Sequence, residues 1–244
     1  MRPTKIRELK DQARLLLNGK YPFLALITAF MIFSYVMLNY LLLSAFPTVP
    51  GIFGFVLYLA ALVLCNMVYF ILQAGMIRLY LKLCRGEAFR FSDLFSVFSN
   101  RPESVAAFSV LQLILQSALL YICDRALGML LDVARGEGFP LLPFVLALLL
   151  GVILIWLMLH LSLVLFLHCD EPWKPLTRLI KESWQMMHGN LGRMFYLLLS
   201  FLGVGILCLL SLGIGVLFAV PYLQTAQALF YLDLCARGAA QQTM

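Results

Sequence analysis

Charge is scarce in this chain. Only 12% of its 244 residues are Asp, Glu, Lys or Arg, against 63% that are hydrophobic, and the mean hydropathy is +0.94. Water-soluble domains carry about a quarter charged residues, so a soluble fold is excluded and a bilayer is implied. Strands of alternating polarity are also absent. That excludes a membrane barrel and leaves helices, which satisfy their own backbone groups in lipid. The six cysteines, Cys65, Cys84, Cys123, Cys169, Cys208 and Cys235, never form a C-x-x-C pair, so no zinc or dithiol motif is spelled out. G-x-S-x-G, H-E-x-x-H, P-loop and paired-carboxylate patterns are missing as well. The nearest approach to a ligand set is His160, His168 and the following Cys169, Asp170 and Glu171. Consecutive residues point in different directions, however, and a metal needs three or four that converge. The expectation is a protein that is not an enzyme, with no catalytic residues, no metal site and no cofactor.

Long apolar runs are what the chain does contain. Crossing the hydrocarbon core takes about 20 apolar helical residues, and six spans are expected, at about 21–46, 52–81, 104–123, 140–168, 192–210 and 213–235. The first follows a charged stretch of twenty residues and is about 26 residues long, long for the apolar part of a signal peptide. It reads as a retained span. With these spans, 1–20, 82–103, 169–191 and the C-terminus share one side. Together with the adjoining span ends they hold sixteen of the eighteen Lys and Arg residues. Only Arg125 and Arg135 lie opposite, among Asp124, Asp132 and Glu137. The positive-inside rule then puts both termini in the cytoplasm. The net charge of +6 follows from this asymmetry and points to anionic lipid headgroups as partners, not nucleic acid.

A short amphipathic segment is expected before every odd-numbered span. Ile6, Leu9, Ala13, Leu16 and Leu17 recur at helical spacing and end at Asn18-Gly19. Phe91, Leu94, Phe95 and Phe98 make an i, i+3, i+4, i+7 stripe that ends at "SNRP". Leu176, Leu179, Ile180 and Met187 do the same before Gly189-Asn190. Each is read as a cytoplasmic interfacial helix. The three exits also match, as "LYLKLC" (79–84), "LFLHC" (165–169) and "FYLDLC" (230–235). The fold expected is all-α and polytopic, one membrane domain over 1–244. Its six transmembrane helices form three hairpins, each preceded by a cytoplasmic amphipathic helix, in units of about 1–84, 85–169 and 170–235.

"YLKLCRGE" followed by "FSDLFSVFSN", then "SWQMMHGNLGRMFYLLLSFLGV", then "LGIGVLFAVPYLQTAQALFYLDL" resembles the bacterial membrane-protein family catalogued as domain of unknown function 975. The resemblance implies a multi-pass protein of the bacterial plasma (inner) membrane, and it brings no activity or catalytic residues with it. His188 stands where the family usually has a basic residue. "DRALGMLLDVARGEGFP" (124–140) replaces a shorter link between the third and fourth spans.

Ionisable residues inside spans are costly. Arg78 and Asp233 lie at similar depths near the cytoplasmic ends of the second and sixth spans, and an ion pair between them would join the first and last hairpins. Lys10, Arg14, Lys181 and Arg193 are the expected lipid-headgroup contacts. Asn39, Asn66, Gln73, Gln112, Gln116, Ser200, Gln224, Thr225 and Gln227 are uncharged polar residues within spans. Bonding one helix to another is their expected use. Asn66, Gln116 and Gln227 are also candidates to line a solute path. Pro221, preceded by four glycines, would allow a hinged segment, but 192–235 suits two spans with "SLGIG" as the turn between them. The function expected is a lipid- or partner-organising protein in envelope maintenance, with a membrane-protein partner conceivable. The alternative is a transporter of a small or amphiphilic solute. A polar cavity between the hairpins would separate the two.

Overall fold

The computed structural model describes residues 4–45, 51–99, 102–135 and 140–242. Phe46, the Asn100-Arg101 pair of "SNRP" and Glu137 lie outside the described residues. Every regular element among those described is helical: α1 (Ile6–Leu17), α2 (Tyr21–Ala45), α3 (Gly51–Arg85), a 3₁₀ helix (Phe91–Ser99), α4 (Pro102–Ala134), α5 (Leu141–Leu161), α6 (Val164–Asp170), α7 (Leu176–Met187), α8 (Leu191–Leu199), α9 (Leu202–Leu210) and α10 (Val216–Gln242). Five stretches, Tyr21–Ser44, Gly51–Arg85, Pro102–Ala134, Leu141–Asp170 and Leu191–Leu210, are long and apolar enough to cross a membrane.

The expected sixth span, 213–235, is not among the five. Its helix, α10, has 27 residues and runs unbroken through Pro221. Gln224, Thr225, Gln227, Asp233 and Arg237 dilute its apolar content. The "SLGIG" segment is a turn, with Leu212 and Gly213 at φ 54° and 87°. The third span also differs from expectation. Instead of stopping near residue 123, α4 continues to Ala134, since Ala126, Leu127, Met129, Leu130 and Leu131 are good helix formers.

The helices pack in a repeating order. α3 lies against the 3₁₀ helix and α4; α5 lies against α7 and α8; α10 lies against α1 and α2. Each long returning helix therefore holds the next short helix and the next long one, and α10 closes the ring onto the start of the chain. α3 also packs on α6 and α10, and Phe166 of α6 meets Tyr231 of α10 at 5.5 Å. Equivalent thiols mark the same approach: Cys84 donates to the Thr225 carbonyl and Cys169 to that of Ala74. Both acceptors stand ten residues before an exit cysteine, Cys235 and Cys84 respectively.

Burial is concentrated at the end that carries the short helices. In α3 the densely buried run is Phe70 to Leu83; in α2 it is Leu24 to Met31; in α5 only His160 and Leu161 are buried. The apolar stripes of α1 and α7 belong to this core, with Leu9, Ala13, Leu17, Leu179 and Met187 at 2% exposure or less. Those stripes are covered by protein, α1's by α10 and α7's by α5 and α6, so they do not lie on lipid as an interfacial helix would. Gly19 and Gly189, both with φ near +80°, close α1 and α7 in the same way.

The segment at 91–99 departs from its expected stripe. A 3₁₀ helix has three residues per turn, so Leu94 and Val97 share the buried face, while Phe91, Phe95 and Phe98 are each about 40% exposed. It lies so close to α3 that a Cβ on Gly75 would sit 1.9 Å from the Leu94 carbonyl oxygen. Lys82 and Asp93 pair across the same contact at 2.8 Å.

Gly75→Ala is expected to destabilise the detergent-solubilised protein by about 1–3 kcal/mol through overpacking. Gly203→Ala, whose Cβ meets nothing within 4 Å, is expected not to. Thermal unfolding of both variants measures the difference, and equal melting temperatures would contradict the close approach.

Candidate functional site: a glutamine-lined cavity

A cavity of about 380 Å³ opens between α3, α4, α5, α6, α8 and α10. Helix periodicity decides which polar side chains reach it. Gln112 and Gln116 lie one turn apart on α4, Gln224 and Gln227 one turn apart on α10, and Gln73 shares a face of α3 with Phe70 and Ile77. Ser162 contributes at the break between α5 and α6. The remaining wall is apolar, including Phe108, Met158 and Phe166. Gln73 and Gln224 each stand eleven residues before an exit cysteine, about 16 Å along a helix and so about halfway through a 30 Å hydrocarbon layer. Gln116 is exposed while the other four are half-buried, which places the mouth at α4.

No lining residue is ionisable. Each carboxamide offers two donor hydrogens and one acceptor oxygen and stays neutral across the biological pH range. In a low-dielectric setting, such groups reward a partner that completes their hydrogen bonds. The cavity can therefore hold an uncharged group with polar and apolar parts. It has nothing in its walls with which to shuttle a proton.

The structure brings Gln116 and Gln227 together in this lining and adds Gln73, Gln112 and Gln224. Asn66 does not join them: its amide donates to the Leu62 carbonyl of its own helix at 3.3 Å. Asn39 and Thr225 likewise bond to carbonyls four residues back. Interhelical bonding, the use expected of these residues, holds for Ser200, which receives Lys10. Asn39, Asn66 and Thr225 instead take a carbonyl of their own helix one turn away.

The Arg78–Asp233 pair does not form. Arg78 donates to the Ser96 hydroxyl at 3.2 Å. Asp233 accepts from Thr4 at 2.6 Å and pairs with Arg193 at 2.9 Å and Arg237 at 3.1 Å. The acid at the end of α10 faces the chain's beginning and α8, whereas Arg78 faces the 3₁₀ helix. Matching depth did not mean matching face. Arg193 is engaged within the protein; it also donates to the Thr4 carbonyl and lies over the Phe230 ring. Lys181 and Arg14 are exposed. Lys10 is held by the Ser200 carbonyl and hydroxyl at 3.2 and 3.3 Å.

One cluster escaped sequence reasoning. Asp170 accepts from Arg85 and from the Tyr231 hydroxyl, both at 2.8 Å, and so links the ends of α3 and α6 to the C-terminal half of α10. Its signal was the charge that follows two of the three matching exits, in "CRG" and "CDE".

The sequence model of the family described as "Protein of unknown function (DUF975)" matches residues 1–238. The chain belongs to that family. No curated protein and no solved structure matches it. The long apolar helices describe a membrane protein, and the residues that act within this DUF975 chain have to be argued from its own geometry.

Asp233→Asn is expected to cost about 1.5–3 kcal/mol, the usual worth of a hydrogen bond to a charged group, and Arg193→Asp with Asp233→Arg to recover part of it. The measurement is thermal unfolding in detergent. Recovery by Arg78→Asp with Asp233→Arg in its place would refute the observed pairing.

Proposed function

We propose that this is a non-enzymatic, six-span protein of the bacterial plasma membrane, with both termini in the cytoplasm, that takes a small uncharged amphiphile into its glutamine-lined cavity and passes it between the leaflets. The observation that carries this reading is the convergence of five carboxamides from three helices on one cavity at mid-depth. Polar groups kept unpaired in a membrane interior are expensive, and a ligand with hydroxyl or amide groups would offset that cost. Apolar walls suit the rest of an amphiphile. The lysine and arginine bias supports the orientation. The 27 residues of α10 support a sixth crossing: about 40 Å of helix, packed along α2 and α3.

A second role, organising lipids or a membrane-protein partner in envelope maintenance, is favoured by one patch. Phe91, Phe95 and Phe98 stay exposed on the 3₁₀ helix at the charged end, where aromatic side chains anchor in the membrane–water interface.

The transfer reading predicts that protein reconstituted into vesicles accelerates the movement of a fluorescently labelled monoacylglycerol between leaflets, followed by quenching of the outer label. Replacing Gln116 and Gln227 together by Leu is expected to slow that movement about tenfold, a loss of about 1.4 kcal/mol, while Lys181→Glu leaves it unchanged. No acceleration over protein-free vesicles, or full activity in the double variant, would refute it. For orientation, a cysteine placed at Asp132 in a cysteine-free background should react with an impermeant maleimide on intact cells. One placed at Lys181 should react only after permeabilisation, and the reverse pattern would invert the topology.

A further inference from the structure

Two adjoining cavities lie on the opposite side of α10 from the glutamines. Gly215, Phe218, Ala219 and Tyr222 form an i, i+3, i+4, i+7 stripe on that side, whereas Leu223, Gln224 and Gln227 face the central cavity. The first cavity, about 500 Å³, lies between α1, α8 and α10. It is lined by Lys5, Arg7, Lys10 and Arg14, with Asp11 as the one acid. The second, about 440 Å³, lies between α9 and α10, and Val204, Leu207, Phe218 and Ala219 make its wall largely apolar. Arg14 and Tyr222 line both and so join them.

The apolar cavity leads away from the charged end. It follows α9 from Val204 towards Ser211 and α10 back from Tyr222 to Gly215, seven residues in each case, or about 10 Å. Cationic mouth and apolar slot thus succeed one another along the membrane normal, as the phosphate and acyl chain of a lipid do.

The mouth is electrostatically unfinished. Among the described residues, none of Lys5, Arg7, Lys10 and Arg14 is ion-paired. Lys10 is drawn inward by Ser200 and lies 4.7 Å from the Phe201 ring centre. Burial, and next the Arg14 charge, lower its pKa from the ordinary lysine value, with Asp11 opposing. An anion between Lys10 and Arg14 would reverse that penalty. Tyr222 supplies an independent sign of a missing partner. It is 6% exposed, and its hydroxyl, which the Arg14 guanidinium approaches as a donor, has no acceptor for its own proton. The Arg14 guanidinium lies 5.5 Å from the ring centre. An arginine only donates, so the phenol proton still lacks an acceptor.

We propose that this cleft binds one anionic phospholipid, with its phosphate against Arg14, Lys10 and the Tyr222 hydroxyl and an acyl chain along Val204, Leu207, Phe218 and Ala219. Charge-assisted bonds to phosphate oxygens are short and strong, and basic residues near an anionic membrane surface add to its attraction. The lipid would lie between α1 and the α8–α9 pair and brace the first short helix against the last two spans.

The test is native mass spectrometry of the full chain in neutral detergent, titrated with phosphatidylglycerol, phosphatidylcholine, glycerol phosphate or inorganic phosphate. Expected is a single phosphatidylglycerol bound about tenfold more tightly than phosphatidylcholine, not displaced by millimolar inorganic phosphate or glycerol phosphate. Arg14→Gln should abolish the preference. Tyr222→Phe, which keeps the packing and removes only the hydroxyl, should weaken binding severalfold. Ala219→Trp should block the slot while leaving the charges in place. Equal affinity for the two lipids, displacement by either soluble phosphate, or an Arg14→Gln variant that binds like the native chain would overturn the proposal. Should Ala219→Trp fail to fold, Tyr222→Phe decides alone, and unchanged affinity in it counts against the site.

Discussion

Asp170 ends one helix and receives hydrogen bonds from two others, Arg85 at the end of α3 and Tyr231 in the C-terminal half of α10. A carboxylate holding a guanidinium and a phenol at 2.8 Å is a charge-assisted junction that fixes geometry as well as distance. The three returning helices are thereby drawn together at one end. Around the junction are the Phe166–Tyr231 contact and the thiol bonds of Cys84 and Cys169. Each returning helix also carries the next short helix on its flank, so the closure spreads outward to α1, α7 and the 3₁₀ helix.

Drawing the long helices together at one end concentrates burial there. Burial falls away along α2, α3, α4 and α5 with distance from the junction. Apolar side chains there face what is lipid in a membrane, at no hydrophobic penalty. The central cavity sits where the packed base gives way, close enough to the junction for α3, α4 and α10 to present their glutamines inward. Its position follows from the convergence of the helices.

Much of this was legible because helices in lipid must announce themselves by length and apolarity. The first five spans, the turn at 211–215 and the glycine-closed short helices were all readable, and so was the likeness of the three exits, which the structure brings together. Side-chain partnerships were not. Arg78 and Asp233 were matched by depth alone, and one-dimensional periodicity does not say which neighbour a face meets. The 3₁₀ geometry at 91–99 was hidden because the expected α stripe and the observed buried face share Leu94 and diverge at Phe95 and Val97. Asn66 looked like a path residue and is occupied by its own helix. For the glutamines the side chain is long enough to reach past the helix surface, which is why five of them, and neither asparagine, line the cavity.

The least apolar of the long helices is held on several sides by protein. α10 touches α1, α2, α3 and α9 and lines both the glutamine cavity and the cleft beneath α1. A helix enclosed on several sides by protein need not be apolar all round, since its polar groups meet other side chains instead of lipid. The features that keep it off the set of clear spans, Gln224, Thr225, Gln227 and Asp233, are therefore consequences of its place. Its two stripes face opposite sides of one rigid rod. The Tyr222 side and the Gln227 side of α10 therefore belong to two different cavities.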